Sequence, residues 1–310
     1  MKKLSAIILS MAIILCASTT AVAIDATVED LELIMDNRYD CVAQEFNEYD
    51  YIQMLQNCSL DDLESAGMEK EEVDAAISQF EDALRLRSSL PEKQLLELGY
   101  SEEEIEILQA YAHGARITDA EMRAVAGTCT GALVPGHINT KEASFYYKWE
   151  WDHCPVVTLT DAAAVRWVAY NNTNIGVVPT LVDSTINYYT GNTYVLSESG
   201  TSEPGLDVNS KNITFPMNYS AGGNSQADSM WAKNGVIQID IKVGMSNYSM
   251  DYLEIGALYG HTTFGVGAPS ISISVPASIS ISFGGSVVTS KTGGDQVQYN
   301  ALTGKMTKLP

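Results

Sequence analysis

The sequence predicts an α+β protein, with a small helical domain at its N-terminal side followed by a mainly antiparallel, β-sandwich-like domain. Three observations carry that prediction. Charge divides the chain, because Ile24 to Thr128 holds 26 acidic against 7 basic residues, and Cys129 onward 13 against 9. Glycine is rare and Leu and Glu frequent before the divide, whereas Gly, Ser, Asn, Thr and Tyr prevail after it, compositions that favour helix and strand in turn. The apolar period also shortens from three or four residues to two across the same point.

The first residues read as an export signal. Lys2 and Lys3 precede the apolar run "LSAIILSMAIILC", and Ala21 and Ala23 have the small-residue spacing of a cleavage site, which predicts a mature chain from Ile24. A lipid-anchored start at Cys16 is disfavoured, because Leu15 stands where a small residue is needed. Loss of the two lysines takes the formal net charge from −21 to −23 and argues against nucleic acid or anionic lipid as an electrostatic partner. No later stretch approaches the roughly 20 apolar residues of a spanning helix. The expected divisions are 1–23 signal, 24–128 acidic helical domain, 129–143 linker and 144–310 β domain.

Within the helical part, "LLELGYSEEEIEILQAY" carries a stop and a start. Gly99 suits a left-handed position after a helix, Tyr100 can pack back on it, and Ser101 with Glu104 forms a capping box for the next helix. "ITDAEMRAVAG" repeats the device with Thr118, Glu121 and Gly127. An echo around Gly67 suggests a weak helical-hairpin repeat. Val73, Ile77, Phe80 and Leu84 recur at helical spacing and are expected to face a core.

The second part reads as strands: "SFYYKWEW" and "VIQIDIKV" alternate strictly, and "INYYTGNTYVLS" predicts a hairpin turning at Gly191-Asn192 that pairs Tyr189 with Tyr194. One or two short helices are expected among these strands, "DAAAVRWVAY" capped by Asp161 and "SQADSMWAKNG" stopped at Gly235. After the signal, four cysteines remain. Proximity along the chain favours Cys41–Cys58 and Cys129–Cys154 as disulfides.

Chemistry is harder to find. His113, His137, His153 and His261 have no metal-ligand spacing, and no nucleophile elbow, P-loop, dinucleotide fingerprint or calcium loop is present, so neither metal nor cofactor is expected. "WDHCP" sets His153 beside Cys154, but neighbouring strand residues point to opposite faces, which disfavours a base and nucleophile pair. Tryptophans concentrate in the β part. Trp231, Trp149, Trp151, Tyr189 and Tyr194 are therefore the candidate ligand-binding residues, with Trp231 the better candidate for an exposed ring; the alternative places Phe145, Tyr147, Trp149 and Trp151 on one core face.

"PSISISVPASISISFGG" puts Ile271, Ile273, Val275, Ala277, Ile279, Ile281 and Phe283 on one parity and serines or Pro276 on the other. A two-residue turn would mix the two faces. A three-residue loop at 276–278, or one continuous strand, keeps them pure. Hairpin arms of five residues reach only about 16 Å, short of the roughly 9–11 residues of a membrane-spanning strand. The functional expectation is thus a secreted, non-enzymatic protein that binds an extracellular glycan, cell-wall or protein ligand. A secreted hydrolase with a hidden carboxylate pair and a β-hairpin pore former are the alternatives.

Overall fold

In the computed structural model the described residues are 42–59, 61, 69–173, 175–177, 179–199, 210–219, 230–243 and 248–262, with strand backbones at 270–274, 280–284, 289–292, 296–300 and 305–308. The chain is α+β. Among the described residues five helices come early: α1 (Glu48–Asn57), α2 (Lys70–Ser88), α3 (Glu92–Glu97), α4 (Glu102–Ala112) and α5 (Asp119–Val125). Both predicted capping boxes form, Ser101 with Glu104 on α4 and Thr118 with Glu121 on α5. Gly99 has φ +90°, and the Tyr100 amide reaches back to the Leu95 carbonyl while the Gly99 amide reaches Leu96, which closes α3 with a left-handed stop. Val73, Phe80 and Leu84 are buried as their spacing requires. The echo around Gly67 lies outside the described residues.

Among the described residues two larger antiparallel sheets hold most of the strands. The first runs in the order β1 (Val42–Asn47), β2 (Thr128–Ile138), β3 (Glu142–Trp151), β8 (Trp231–Lys242), β5 (Pro179–Thr190) and β6 (Thr193–Ser199). The second runs β14 (Lys305–Lys308), β13 (Gln296–Asn300), β9 (Met250–Thr262), β4 (Thr160–Asn171) and β7 (Ser210–Pro216), with β12 (Thr289–Thr292) also paired to β9. Trp149 joins the layers, its ring 5.7 Å from Phe215 and 5.6 Å from Tyr259 between ring centres. The core between the sheets continues without a break into the helices.

Four expectations are corrected here. Residues 129–143 are not a linker, because they carry β2, whose Pro135 and Gly136 coincide with a register shift rather than a domain boundary. "DAAAVRWVAY" is strand β4, not a helix. It lies mid-sheet with Ala162, Ala163, Ala164 and Val165 all buried, and a strand covered on both faces loses the alternation that would identify it. The helix ending at Gly235 is replaced from Trp231 onward by β8. β1, finally, lies inside the region expected to be helical and forms an edge of the first sheet.

Gly235 serves a different purpose from a helix stop. It sits opposite Trp149 across the β3–β8 ladder, and a Cβ there would lie 2.2 Å from Trp149 Cζ2. The indole occupies the space that any side chain would need. Gly235→Ala is expected to lower unfolding free energy by about 1–3 kcal/mol through overpacking, read as a lower urea midpoint at unchanged slope.

Candidate functional site

The serine ribbon folds as a hairpin. β10 (Ser270–Ser274) pairs with β11 (Ser280–Gly284) in the register Ile271 with Phe283, Ile273 with Ile281 and Ser272 with Ser282. That is the pure-faced register of a three-residue loop and excludes one continuous strand; the loop itself, 275–279, lies outside the described residues. Among the described residues β10 and β11 pair with each other and with no strand of the two larger sheets.

The antiparallel ladder resumes at the root of this hairpin. Thr262 at the end of β9 pairs with Thr289 at the start of β12, and pairing continues through Tyr259 with Thr292. β9 then pairs with β13 from Gly256 with Gln296 to Tyr252 with Asn300. In chain order the paired strands β9 and β12–β13 flank β10–β11 as a stem flanks its hairpin.

A buried charged network grips the stem. His261, the penultimate residue of β9, sets Nδ1 2.9 Å from Asp161 Oδ2 and Nε2 3.1 Å from Glu48 Oε1, and all three side chains are fully buried. Carboxylates accept, so both ring nitrogens must donate and the imidazole is cationic. Burial alone would lower the His261 pKa, but the charge and hydrogen bonds of Asp161 and then Glu48 outweigh it and raise it to about 10.

Each carboxylate is held in turn. Asp161, at the start of β4, also accepts the Tyr259 hydroxyl at 2.6 Å and the Thr262 amide at 3.1 Å, and Trp151 Nε1 donates to the same hydroxyl at 2.9 Å. Glu48 opens α1 behind the cap Asn47 and accepts the amides of Gly127 at 3.1 Å, Val156 at 2.6 Å and Val157 at 3.0 Å. Burial would raise the Glu48 pKa, yet the hydrogen bond and charge of His261 and the two amides of Val157 and Val156 leave it below its usual value.

From α2, the buried Arg87 completes the arrangement. Its guanidinium donates to Tyr100 Oη at 3.0 Å and to the carbonyls of Cys154 at 3.1 Å and Pro155 at 2.9 Å. The loop between β3 and β4 is thus held by its carbonyls through Arg87 and by its amides through Glu48. Two buried cations face two buried carboxylates, which lets the whole set remain charged away from water.

The residues proposed for binding separate into two groups. Trp149, Trp151 and Trp231 are at most 1 % exposed and form core rather than a platform, so Trp231 is not the exposed ring its polar sequence neighbours suggest. Tyr189 and Tyr194 do pair across the predicted Gly191-Asn192 turn, rings 5.8 Å apart, and Tyr194 is 53 % exposed. His153 is buried and stacks on Tyr100 at 4.2 Å, and burial raises the Cys154 thiol to about 11, far from a thiolate nucleophile at neutral pH. Cys129 and Cys154 are both buried and stand as free thiols in this structure. Cys41 lies outside the described residues.

Glu48, Asp161 and His261 were not singled out by sequence as a site. A signal exists for two of them: Asp161 and His261 continue the inward parity of Ala163, Val165 and Trp167 and of Ala257 and Tyr259, where a polar residue needs a buried partner. Among the described residues no cluster of His, Cys, Asp and Glu suits a metal ion, and no helix is long and apolar enough to cross a membrane.

No family model matches the chain, and no curated protein sequence matches it. Among solved structures it is similar to one described as "Pore forming protein", at 12% identity and TM-score 0.24, covering 59% of this chain and 90% of that one. It is also similar to one described as "AvmM Catalyzes Macrocyclization in Alchivemycin A Biosynthesis", at 10% identity and TM-score 0.19, covering 41% of this chain and 72% of that one. At these scores neither likeness assigns a fold or an activity.

Proposed function

We propose that this is an exported protein that acts on membranes by inserting a β-hairpin, with β10 and β11 as the tip and β9 and β12 as the stem. One observation carries the reading: the ribbon pairs in the register that keeps apolar and serine positions on separate faces, and among the described residues it joins neither large sheet. A strand between lipid and a wet lumen needs that separation.

The short arms that argue against insertion from sequence alone are met by the stem. Counted along the chain, residues 259–274 and 280–292 each exceed the roughly 9–11 residues that a tilted spanning strand requires. The acidic balance favours zwitterionic over anionic lipid. Attachment before insertion is a separate step, and the exposed Tyr194 beside Tyr189 supports a ligand contact at the β5–β6 turn. Burial of the three tryptophans removes support for a larger aromatic platform.

Dye release from phosphatidylcholine vesicles tests this reading. The wild-type chain is expected to release dye, and the pair Ile273→Arg with Ile281→Arg to lose release by about a hundredfold or more, since an arginine on the lipid-facing parity costs about 2–4 kcal/mol per site at mid-bilayer. Undiminished release by a folded double variant would remove the hairpin from the mechanism.

A further inference from the structure

We infer that Glu48 is a latch that ties the early helices to the root of the hairpin and sets how readily the hairpin is released. The inference rests on the membrane-insertion reading. Its basis is position: His261 is one residue from the end of β9, after which seven residues (263–269) lead to β10, and four (285–288) lead from β11 back to β12. A hairpin that extends from this stem moves the end of β9.

That end is tied at one charged point to a remote part of the chain. Glu48 Oε1 meets His261 Nε2 at 3.1 Å, while Glu48 is itself anchored by the amides of Gly127, Val156 and Val157. Around the imidazolium lie Phe46 of β1 at 6.2 Å and Trp151 of β3 at 4.8 Å between ring centres, which exclude water from the contact. The titratable and charged groups facing this point from the surrounding elements are Asp161 of β4, Tyr259 of β9, Arg87 of α2, Tyr100 before α4, Cys129 of β2 and Cys154 of the β3–β4 loop.

Their arrangement decides which change opens the latch. Asp161 and His261 belong to neighbouring strands of one sheet, so their contact can travel with that sheet. Glu48 belongs to α1 and cannot. A neutral imidazole donates only once, so loss of the ring proton leaves one carboxylate facing a lone pair, and neutralising Glu48 weakens the same link from the other side. Mild acid does neither, because Glu48 titrates below its ordinary range and His261 is already protonated.

The test compares wild type with Glu48→Gln in dye release from phosphatidylcholine vesicles between pH 7 and 10. At pH 7 the variant is expected to release about tenfold faster or more, the factor that follows from losing a hydrogen bond between charged groups. The wild-type rate is expected to climb toward the variant's as pH rises. Equal rates at pH 7 from a folded Glu48→Gln protein would overturn the latch and leave insertion standing. Release by neither protein would overturn insertion, and hydrogen exchange then decides the latch: selective loss of protection at Tyr259–Thr262 in Glu48→Gln supports it, unchanged protection overturns it. His261→Gln breaks the same link from the strand side and replaces Glu48→Gln if that variant does not fold.

Discussion

Replacing Glu48 with alanine is expected to lower the free energy of unfolding by about 3–5 kcal/mol, the cost of removing one partner from a buried ion pair. The change leaves the His261 imidazolium with Asp161 alone. It also orphans three amides, those of Gly127, Val156 and Val157, which the Glu48 carboxylate satisfies at once. Arg87, whose positive charge is favoured by Glu48 among others, loses a counter-charge in the same step. Urea unfolding at pH 7 measures the difference. A loss below about 1 kcal/mol would mean that water or a neighbouring group takes over those contacts, contrary to their burial.

The second large effect is a loss of stability in mild alkali. The surrounding carboxylates raise the His261 pKa to about 10 from the ordinary 6.5, so between those limits the native state holds a proton that the unfolded chain has released. Stability then falls as pH rises, by about 1.4 kcal/mol per pH unit for one proton, is whole below 6.5 and has lost this contribution above about 10. Other raised groups enter later. Cys154 begins to act only above the ordinary thiol value of 9.0, and Tyr49 only above 10.0, so the interval from 6.5 to 9 belongs to His261. Unfolding measured at half-unit steps through that interval should slope downward in wild type and lie nearly flat in Asp161→Asn, where the main charge holding the proton is gone. On the acid side Glu48 behaves oppositely: its contribution is present above the ordinary carboxyl value of 4.5 and is lost as pH falls through its lowered native pKa.

What could be read in advance depended on whether a local signal had one cause. Capping boxes and the Gly99 stop were legible because Ser101, Glu104 and Gly99 satisfy backbone groups within a few residues of themselves. β3 and β8 were legible because one face of each is wet. β4 was not, since burial on both faces and three consecutive alanines reproduce the composition of a helix. Trp231 misled for a related reason: its ring is buried by β-sheet neighbours and the helices, not by residues adjacent in sequence.

The hairpin and its root divide in the same way. Parity rules out a two-residue turn and pairs Ile273 with Ile281 in a hairpin, but it allows one continuous strand equally well, so the hairpin itself is seen only in the folded chain. The stem could not be derived by counting, because β12 is only four residues long and recognises β9 through backbone pairing. Nor could the network of Glu48, Asp161 and His261, whose members come from α1, β4 and β9 and meet only in the folded chain.

Depth measured position by position along the hairpin tests membrane insertion most directly. Tryptophan placed singly at residues 271–274 and 280–283 can be read by quenching with brominated phosphatidylcholine, because the native Trp149, Trp151, Trp167 and Trp231 are all buried and contribute a constant background. Insertion of the hairpin predicts quenching at 271, 273, 281 and 283 and little at 272, 274, 280 and 282, an alternation of period two on both arms. Uniform quenching, or none at any position while the vesicles leak, would contradict it.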